Sequence, residues 1–316
     1  MRLRAAAALF TGLLLVTSCS DNSEPKTTPA PAPANLPKTV SENGATLEVA
    51  PEFKAGSEAK IAFTAPAGSN NYWVGFVNPG AGPIEYFSSG YAYTSSGSPA
   101  SVTVPGQPGD YELRFADDTA KVMLIGVPVK VVEGDAATLT VPATAEGSRE
   151  ISVAFTGPDG KHNMIAIVKA GAADETYHSL QSATTYQSPV GLRMPVSAGD
   201  YEVRFLRSIG KVSVAGRAPI KVSQATPVTM TPAEATAGQE FKVVLGDDAP
   251  KLSGDYIYIA KPGTPDTDYA GGYVAVSHNG DTVIKAPAEA GDWELRYIAP
   301  DNGSYAALGR AALTVK

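Results

Sequence analysis

After residue 44 the chain reads as short apolar runs cut by turns. In AKIAFTAPAG (59–68), YWVGFVNPG (72–80) and ISVAFTGPDG (151–160), β-branched and aromatic residues alternate with polar ones or run together, and each run stops near Pro or Gly. Alternation at period two marks strands, because successive side chains of a strand point to opposite faces. Turn signals return every 8–12 residues, and no amphipathic stretch of helical length follows residue 44. Six or seven short strands in a segment of about 90 residues predict an immunoglobulin-like sandwich. Parallel α/β folds are excluded, since they need crossover helices.

The pattern repeats. Gly56, Gly147 and Gly238 open related motifs 91 residues apart, and YWVGFVNPG, NMIAIVKAG and YIYIAKPG align in the three copies. A repeat this long exceeds solenoid units and implies whole domains strung like beads. The expected organisation is a signal at 1–18, a linker at 19–44 and immunoglobulin-like repeats at 45–133, 135–224 and 225–316. The segments GDYELRF (109–115), GDYEVRF (199–205) and GDWELRY (291–297) are one strand built three times. Period two turns Tyr111, Leu113 and Phe115 inward, with Tyr201, Val203, Phe205 and Trp293, Leu295, Tyr297 as the matching rows. It turns Glu112 and Arg114 outward, where a solvated strand face is expected. The aromatic after Gly-Asp resembles the tyrosine corner of such sandwiches, and Trp293 departs from it, since an indole donates one hydrogen bond and accepts none.

The N-terminus is of another kind. A short basic region precedes an apolar run from Ala5 to Val16. That run is too short for a comfortable transmembrane helix and reads as a secretory signal. The chain's single cysteine, Cys19, falls where the signal would be cut. Val16-Thr17-Ser18-Cys19 resembles the lipobox of bacterial lipoproteins, which implies diacylation of Cys19 and a mature chain beginning there. Ser20 is not the aspartate that retains such lipoproteins in the inner membrane, so the resemblance implies an outer-membrane lipid anchor, with the side the domains face left open. Residues 20–44 are rich in Pro, Thr, Ala and Ser and are expected to be a disordered tether.

Composition adds exclusions. Gly (31) and Pro (25) together fill about a sixth of the 316 positions, which suits turns and short strands. The net charge is −7, which provides no electrostatic footprint for nucleic acid. The histidines His162, His178 and His278 do not recur at matching places in the repeats, and no metalloprotease, P-loop, nucleophile-elbow or dinucleotide motif occurs. Asp247-Asp248 and TPDTD (264–268) lack the spaced ligands of a calcium loop and read as solvated turns. No cofactor, no metal site and no catalytic residue is expected.

The closing pattern GDYELRY…GRxPItV, met here as GDWELRY with LGRAALTV, is similar to bacterial immunoglobulin-like repeats that follow von Willebrand A domains. No such A domain is present here. The resemblance implies an all-β chain of three tandem immunoglobulin-like or fibronectin III-like sandwiches with a binding or scaffolding role. Candidate contacts are the aromatics of EYFSSGYAYTSSGS (85–98): Phe87, Tyr91 and Tyr93, among the small polar residues that make adaptable contact surfaces. Tyr86, Tyr177 and Tyr269 recur in every copy, which favours a core or corner role for them. The expected function is a non-catalytic, lipid-anchored envelope module whose partners are envelope proteins or surface polysaccharide. An envelope enzyme subunit with a site between domains, or a plain structural spacer, are the alternatives.

Overall fold

The computed structural model describes residues 37–316 except 69–70 and 279, and the side chain of residue 180. The leader, Cys19 and residues 20–36 lie outside the described residues. The rest folds into three β-sandwiches in which two layers, antiparallel apart from one short parallel strand in each larger sheet, enclose one core each.

The second sandwich gives the plan. Its smaller sheet orders Thr138–Thr140, Glu150–Thr156 and Val190–Arg193. Its larger sheet orders Thr144–Glu146, Ser213–Ser223, Gly199–Arg207, Met164–Lys169 and Ser182–Thr184. Only Thr144–Glu146 runs parallel to its neighbour, so the first stretch of chain begins in one layer and ends in the other, as in immunoglobulin-like folds. The third sandwich repeats this with Met230–Thr231, Glu240–Leu245 and Thr282–Lys285 facing Glu234–Ala235, Ser304–Val315, Gly291–Asp301, Tyr256–Ala260 and Gly272–Ala275. In the first sandwich the larger sheet is Glu52–Lys54, Val122–Val132, Gly109–Asp117, Tyr72–Val77 and Tyr91–Tyr93.

The inward rows are as period two requires. Tyr111, Leu113, Phe115, Tyr201, Val203, Phe205, Trp293, Leu295 and Tyr297 are all buried. The corner hydroxyls donate four residues back, Tyr111 to the Gln107 carbonyl at 3.1 Å and Tyr201 to the Ser197 carbonyl at 2.9 Å. Trp293 fills the same role after all: its Nε1 donates to the Glu289 carbonyl at 3.1 Å. The corner needs only a donor there, so an indole substitutes for a phenol.

One boundary differs from expectation. The strand Lys38–Glu42 lies within the stretch 19–44 expected as linker and pairs antiparallel with Ala45–Val49. Asn43 (φ 50°) and Gly44 (φ 76°) form the left-handed two-residue turn between them, for which Asn-Gly is the favoured sequence. The strand itself is nearly all exposed, so no hydrophobic alternation announces it. It covers the edge of the first smaller sheet.

The sandwiches are not loose beads. The second and the third each carry a hairpin that reaches the tyrosine corner of the sandwich before it. From the second, Ile209 offers its carbonyl to Gly106 N at 2.8 Å, and the Val212 carbonyl accepts from Gln107 Nε2 at 3.2 Å. From the third, Asp301 accepts from Ser197 N at 3.1 Å, and Asn302 Nδ2 donates to the Tyr201 hydroxyl at 3.1 Å. A second contact lies where the strands Met164–Lys169 and Tyr256–Ala260 begin. Asn163 donates to the Gly56 carbonyl at 2.8 Å across the first junction. At the equivalent place in the third sandwich, Asp255 forms a buried ion pair with Arg193 of the second. Tyr297 OH (2.6 Å) and Leu252 N (2.8 Å) hold the other carboxylate oxygen, and Arg193 also donates to the Ser253 carbonyl at 2.9 Å. Burial and the adjacent Asp255 charge push the Tyr297 hydroxyl far above the usual tyrosine range, so it stays a donor. Removing one partner of such a pair strands a buried charge. Asp255→Ala is therefore expected to destabilise the chain by about 3–5 kcal/mol in urea denaturation, with Asp255→Asn, which still accepts hydrogen bonds, losing less.

Candidate binding faces

The outward residues of the repeated strand do not form a solvated face. Arg204 and Arg296 are 0% exposed and Arg114 is 3% exposed, which overturns the expectation for the Glu-x-Arg pair. In each sandwich the connection after the strand Tyr72–Val77, Met164–Lys169 or Tyr256–Ala260 folds over the larger sheet, and the arginine is held beneath it. Arg114 donates to the carbonyls of Gly82 and Ala81, the latter at 2.7 Å. Arg204 donates to those of Ala172 and Ala173, the latter at 2.6 Å. Arg296 donates to the Pro265 carbonyl, the Lys261 carbonyl (3.1 Å) and Thr264 Oγ1 (2.9 Å). The glutamate two residues earlier lies on the same face and accepts from the arginine Nε, at 2.8, 2.7 and 2.6 Å in the three copies. A planar guanidinium with donors on every side suits this fork of carbonyls and carboxylate. In the second and third copies a further arginine, Arg217 or Arg310, also holds the glutamate, while Gly126 stands there in the first. Asp266, from the TPDTD turn, takes the other end of Arg310 and accepts from Ala307 N at 2.8 Å.

These clamped connections carry the recurring tyrosines. Tyr86, Tyr177 and Tyr269 are 41%, 43% and 51% exposed, so the core or corner role expected from their recurrence does not hold. They recur because the connection recurs, and it lies outside the sheet. On the third sandwich Tyr269 joins Tyr258 (5.3 Å between ring centroids) and Tyr273 (5.2 Å) on the outer face of the larger sheet. Tyr256 and Tyr305 extend the cluster, 6.0 Å apart. Period two dictates this in YIYIA: Ile257 and Ile259 enter the core, while Tyr256 and Tyr258 face outward. Tyr273 is 60% exposed although it sits in a strand. Burial and the neighbouring hydroxyls raise the pKa of Tyr258, so that hydroxyl keeps its proton at neutral pH.

The first sandwich has a smaller version. Trp73 is fully buried beneath Tyr86 and Tyr91, with centroids 5.3 and 6.2 Å away, and Tyr93 packs edge-on to Tyr91 at 5.3 Å. Of the aromatics singled out in the sequence, Tyr91 and Tyr93 lie on this face. Phe87 points elsewhere: its ring packs on Tyr111 and lies against Gly210 of the second sandwich, at the junction. The second sandwich carries Met164 and Ala166 at the matching outward positions and has no such cluster among the described residues. The tyrosine face of the third sandwich escaped sequence reasoning, although the outward half of YIYIA and Tyr273 signalled it. Among the described residues no three His, Cys, Asp or Glu side chains stand together as a metal site.

The strand order defines this class of protein, a tandem array of immunoglobulin-like sandwiches. No family model matches the chain, and neither does any curated protein. Similar solved structures include fibronectin(III)-like modules of Clostridium thermocellum CbhA (16% identity, 55% of this chain and 88% of that one, TM-score 0.22). The FN1–FN3 domains of chicken CNTN1 match at 12% identity over 87% of this chain and 99% of that one (TM-score 0.21). Bacteroides ovatus SGBP-B, solved with a mixed-linkage heptasaccharide, matches at 15% identity over 89% of this chain and 69% of that one (TM-score 0.18).

The clamp has a measurable signature. Arg296→Ala removes several charge-assisted hydrogen bonds and leaves buried carbonyls unsatisfied, so a loss of about 3 kcal/mol is expected in urea denaturation. Arg296→Lys is expected to recover less than half of that loss, because an ammonium does not span the fork.

Proposed function

We propose that this chain is a non-catalytic binding module of the bacterial cell envelope, anchored by lipid on Cys19 at the outer membrane. Its first and third sandwiches present tyrosine faces to an envelope protein or surface polysaccharide. The observation that carries this reading is the outer face of the third sandwich, where Tyr269 and Tyr273 stay largely exposed beside three further tyrosines. Aromatic rings half in water on a sheet gain only a little for folding, and tyrosine is suited to contacts because it joins a large apolar body to a polar tip. Tyr91 and Tyr93 contribute the second, smaller contact face. With the faces on one chain, weak contacts add through effective concentration. The Pro-rich segment before residue 37 serves as the tether, and nucleic acid is no partner of so acidic a chain.

Two measurements test this. Labelled palmitate is expected to enter the wild-type chain and not Cys19→Ala, which should also leave the membrane fraction; label retained by the variant would refute the anchor. The full chain in detergent should bind saturably to washed envelopes from cells lacking it. The Tyr269→Ala/Tyr273→Ala variant is expected to bind about tenfold more weakly with an unchanged melting temperature. Unchanged binding would remove the tyrosine face from the proposal.

A further inference from the structure

Beside the tyrosine face, the second and third sandwiches enclose a cleft of about 280 Å³. Tyr177, His178 and Gln181 line it from the second, and Gly303, Ser304 and Tyr305 line it from the hairpin of the third. Gly303 has φ +82° and lies so close to the His178 ring that any Cβ would collide with it, so the hairpin tip is seated tightly against the second sandwich. The unusual member is Gln181. Its side chain is 1% exposed, yet neither its amide oxygen nor its amide nitrogen has a hydrogen-bond partner. A buried primary amide without partners is unfavourable, and native structures keep few of them.

The rest of the lining says what such an amide is for. It offers one acceptor and two donors side by side, the complement of adjacent hydroxyl groups. The Ser179 and Ser304 hydroxyls and the His178 ring add polar contacts, and Tyr177 and Tyr305, one from each sandwich, add flat apolar surfaces. No carboxylate, ammonium or guanidinium lines the cleft. The nearby Asp301 is engaged by Ser197 and Asn302, and the chain as a whole is acidic. An anionic ligand finds no Lys or Arg here, whereas an uncharged ring bearing hydroxyls meets the Ser179 and Ser304 hydroxyls, the His178 ring and two tyrosines. From Tyr305 the rings continue onto the sheet through Tyr256 (6.0 Å), Tyr273 (6.2 Å) and Tyr269 (5.2 Å).

We propose that this cleft is a subsite for one uncharged pyranose ring of a polysaccharide, whose neighbouring residues run over the tyrosine face of the third sandwich. The proposal rests on the binding-module reading and deepens it, naming a neutral glycan as the partner and Gln181 as a specificity-determining residue. The amide's polar atoms are covered in this structure, so the ring displaces that cover before the amide takes up sugar hydroxyls and gains the partners it lacks. Both sandwiches contribute to the subsite, so neither holds it alone.

The test uses the full chain in detergent and calorimetric titration with neutral hexasaccharides (α-1,4-, β-1,4- and β-1,3-linked glucans and a β-1,4-mannan), with oligogalacturonate as the anionic control. Saturable binding of at least one neutral member, and none of the control, is expected. Gln181→Leu should weaken that binding about tenfold or more while melting at or above the wild-type temperature, because it removes an unsatisfied buried amide. Tyr177→Ala, at an exposed position, should weaken binding without loss of stability. The proposal is overturned if no neutral member binds, if Gln181→Leu binds as wild type does, or if Gln181→Leu melts markedly lower. Failure of every hexasaccharide alongside intact, tyrosine-dependent binding to envelopes would remove the glycan subsite and leave the binding-module reading standing. Loss of both would remove the two together.

Discussion

The buried arginine under each sheet-crossing connection is the contact on which the molecule's outer surface depends. A connection that leaves one strand and returns to the sheet edge must find partners for its carbonyls, and water supplies them only if the connection stands clear of the sheet. Arg114, Arg204 and Arg296 supply them from below, which lets the connection lie flat. The glutamate two residues earlier keeps the guanidinium charge paired and its fork aimed. A strand face that would otherwise be solvated becomes a second, polar layer of packing. The tyrosines then sit on a fixed platform, their rings spaced by backbone geometry.

The same economy of means joins the sandwiches. The place where Asn163 and Asp255 begin their strands is occupied in the first sandwich by Tyr72, which turns into its own core. A polar residue appears there only where another sandwich lies against it. The two junctions solve the problem differently: an amide on a glycine carbonyl in one, and a buried ion pair braced by Tyr297 in the other. The hairpin contacts at the tyrosine corners are alike in kind, so each junction is held at two points.

Much of this was legible in the chain. Strand periodicity, the threefold repeat and the inward rows follow from alternation alone, because burial in a sandwich obeys period two. Alternation says which side a residue faces, however, and not what covers that side. Arg114 and its counterparts were assigned correctly to the outward face and wrongly to solvent, since the cover comes from a connection some 30 residues earlier in sequence. Tyr86, Tyr177 and Tyr269 were misread for the same reason: their recurrence marks a recurring connection, not a core position. The strand Lys38–Glu42 had a local signal, Asn43-Gly44, without the hydrophobic alternation that would have given it weight. The indole of Trp293 shows the opposite case, where chemistry of a different residue meets an unchanged demand for one donor.

At each junction the corner of one sandwich receives the hairpin of the next. Such a joint has a head and a tail. The hairpin of the first sandwich closes on itself, Asp117 accepting from Thr119 N at 2.8 Å and Ala120 N at 3.0 Å. The corner of the third is roofed by its own side chain, with the Lys261 ammonium 3.7 Å from the Trp293 ring centroid. The junction contact joins unlike surfaces, so it gives the array a direction. The two outer ends of the array are thus unlike each other, one a turn satisfied by its own carboxylate and the other an indole covered by its own lysine.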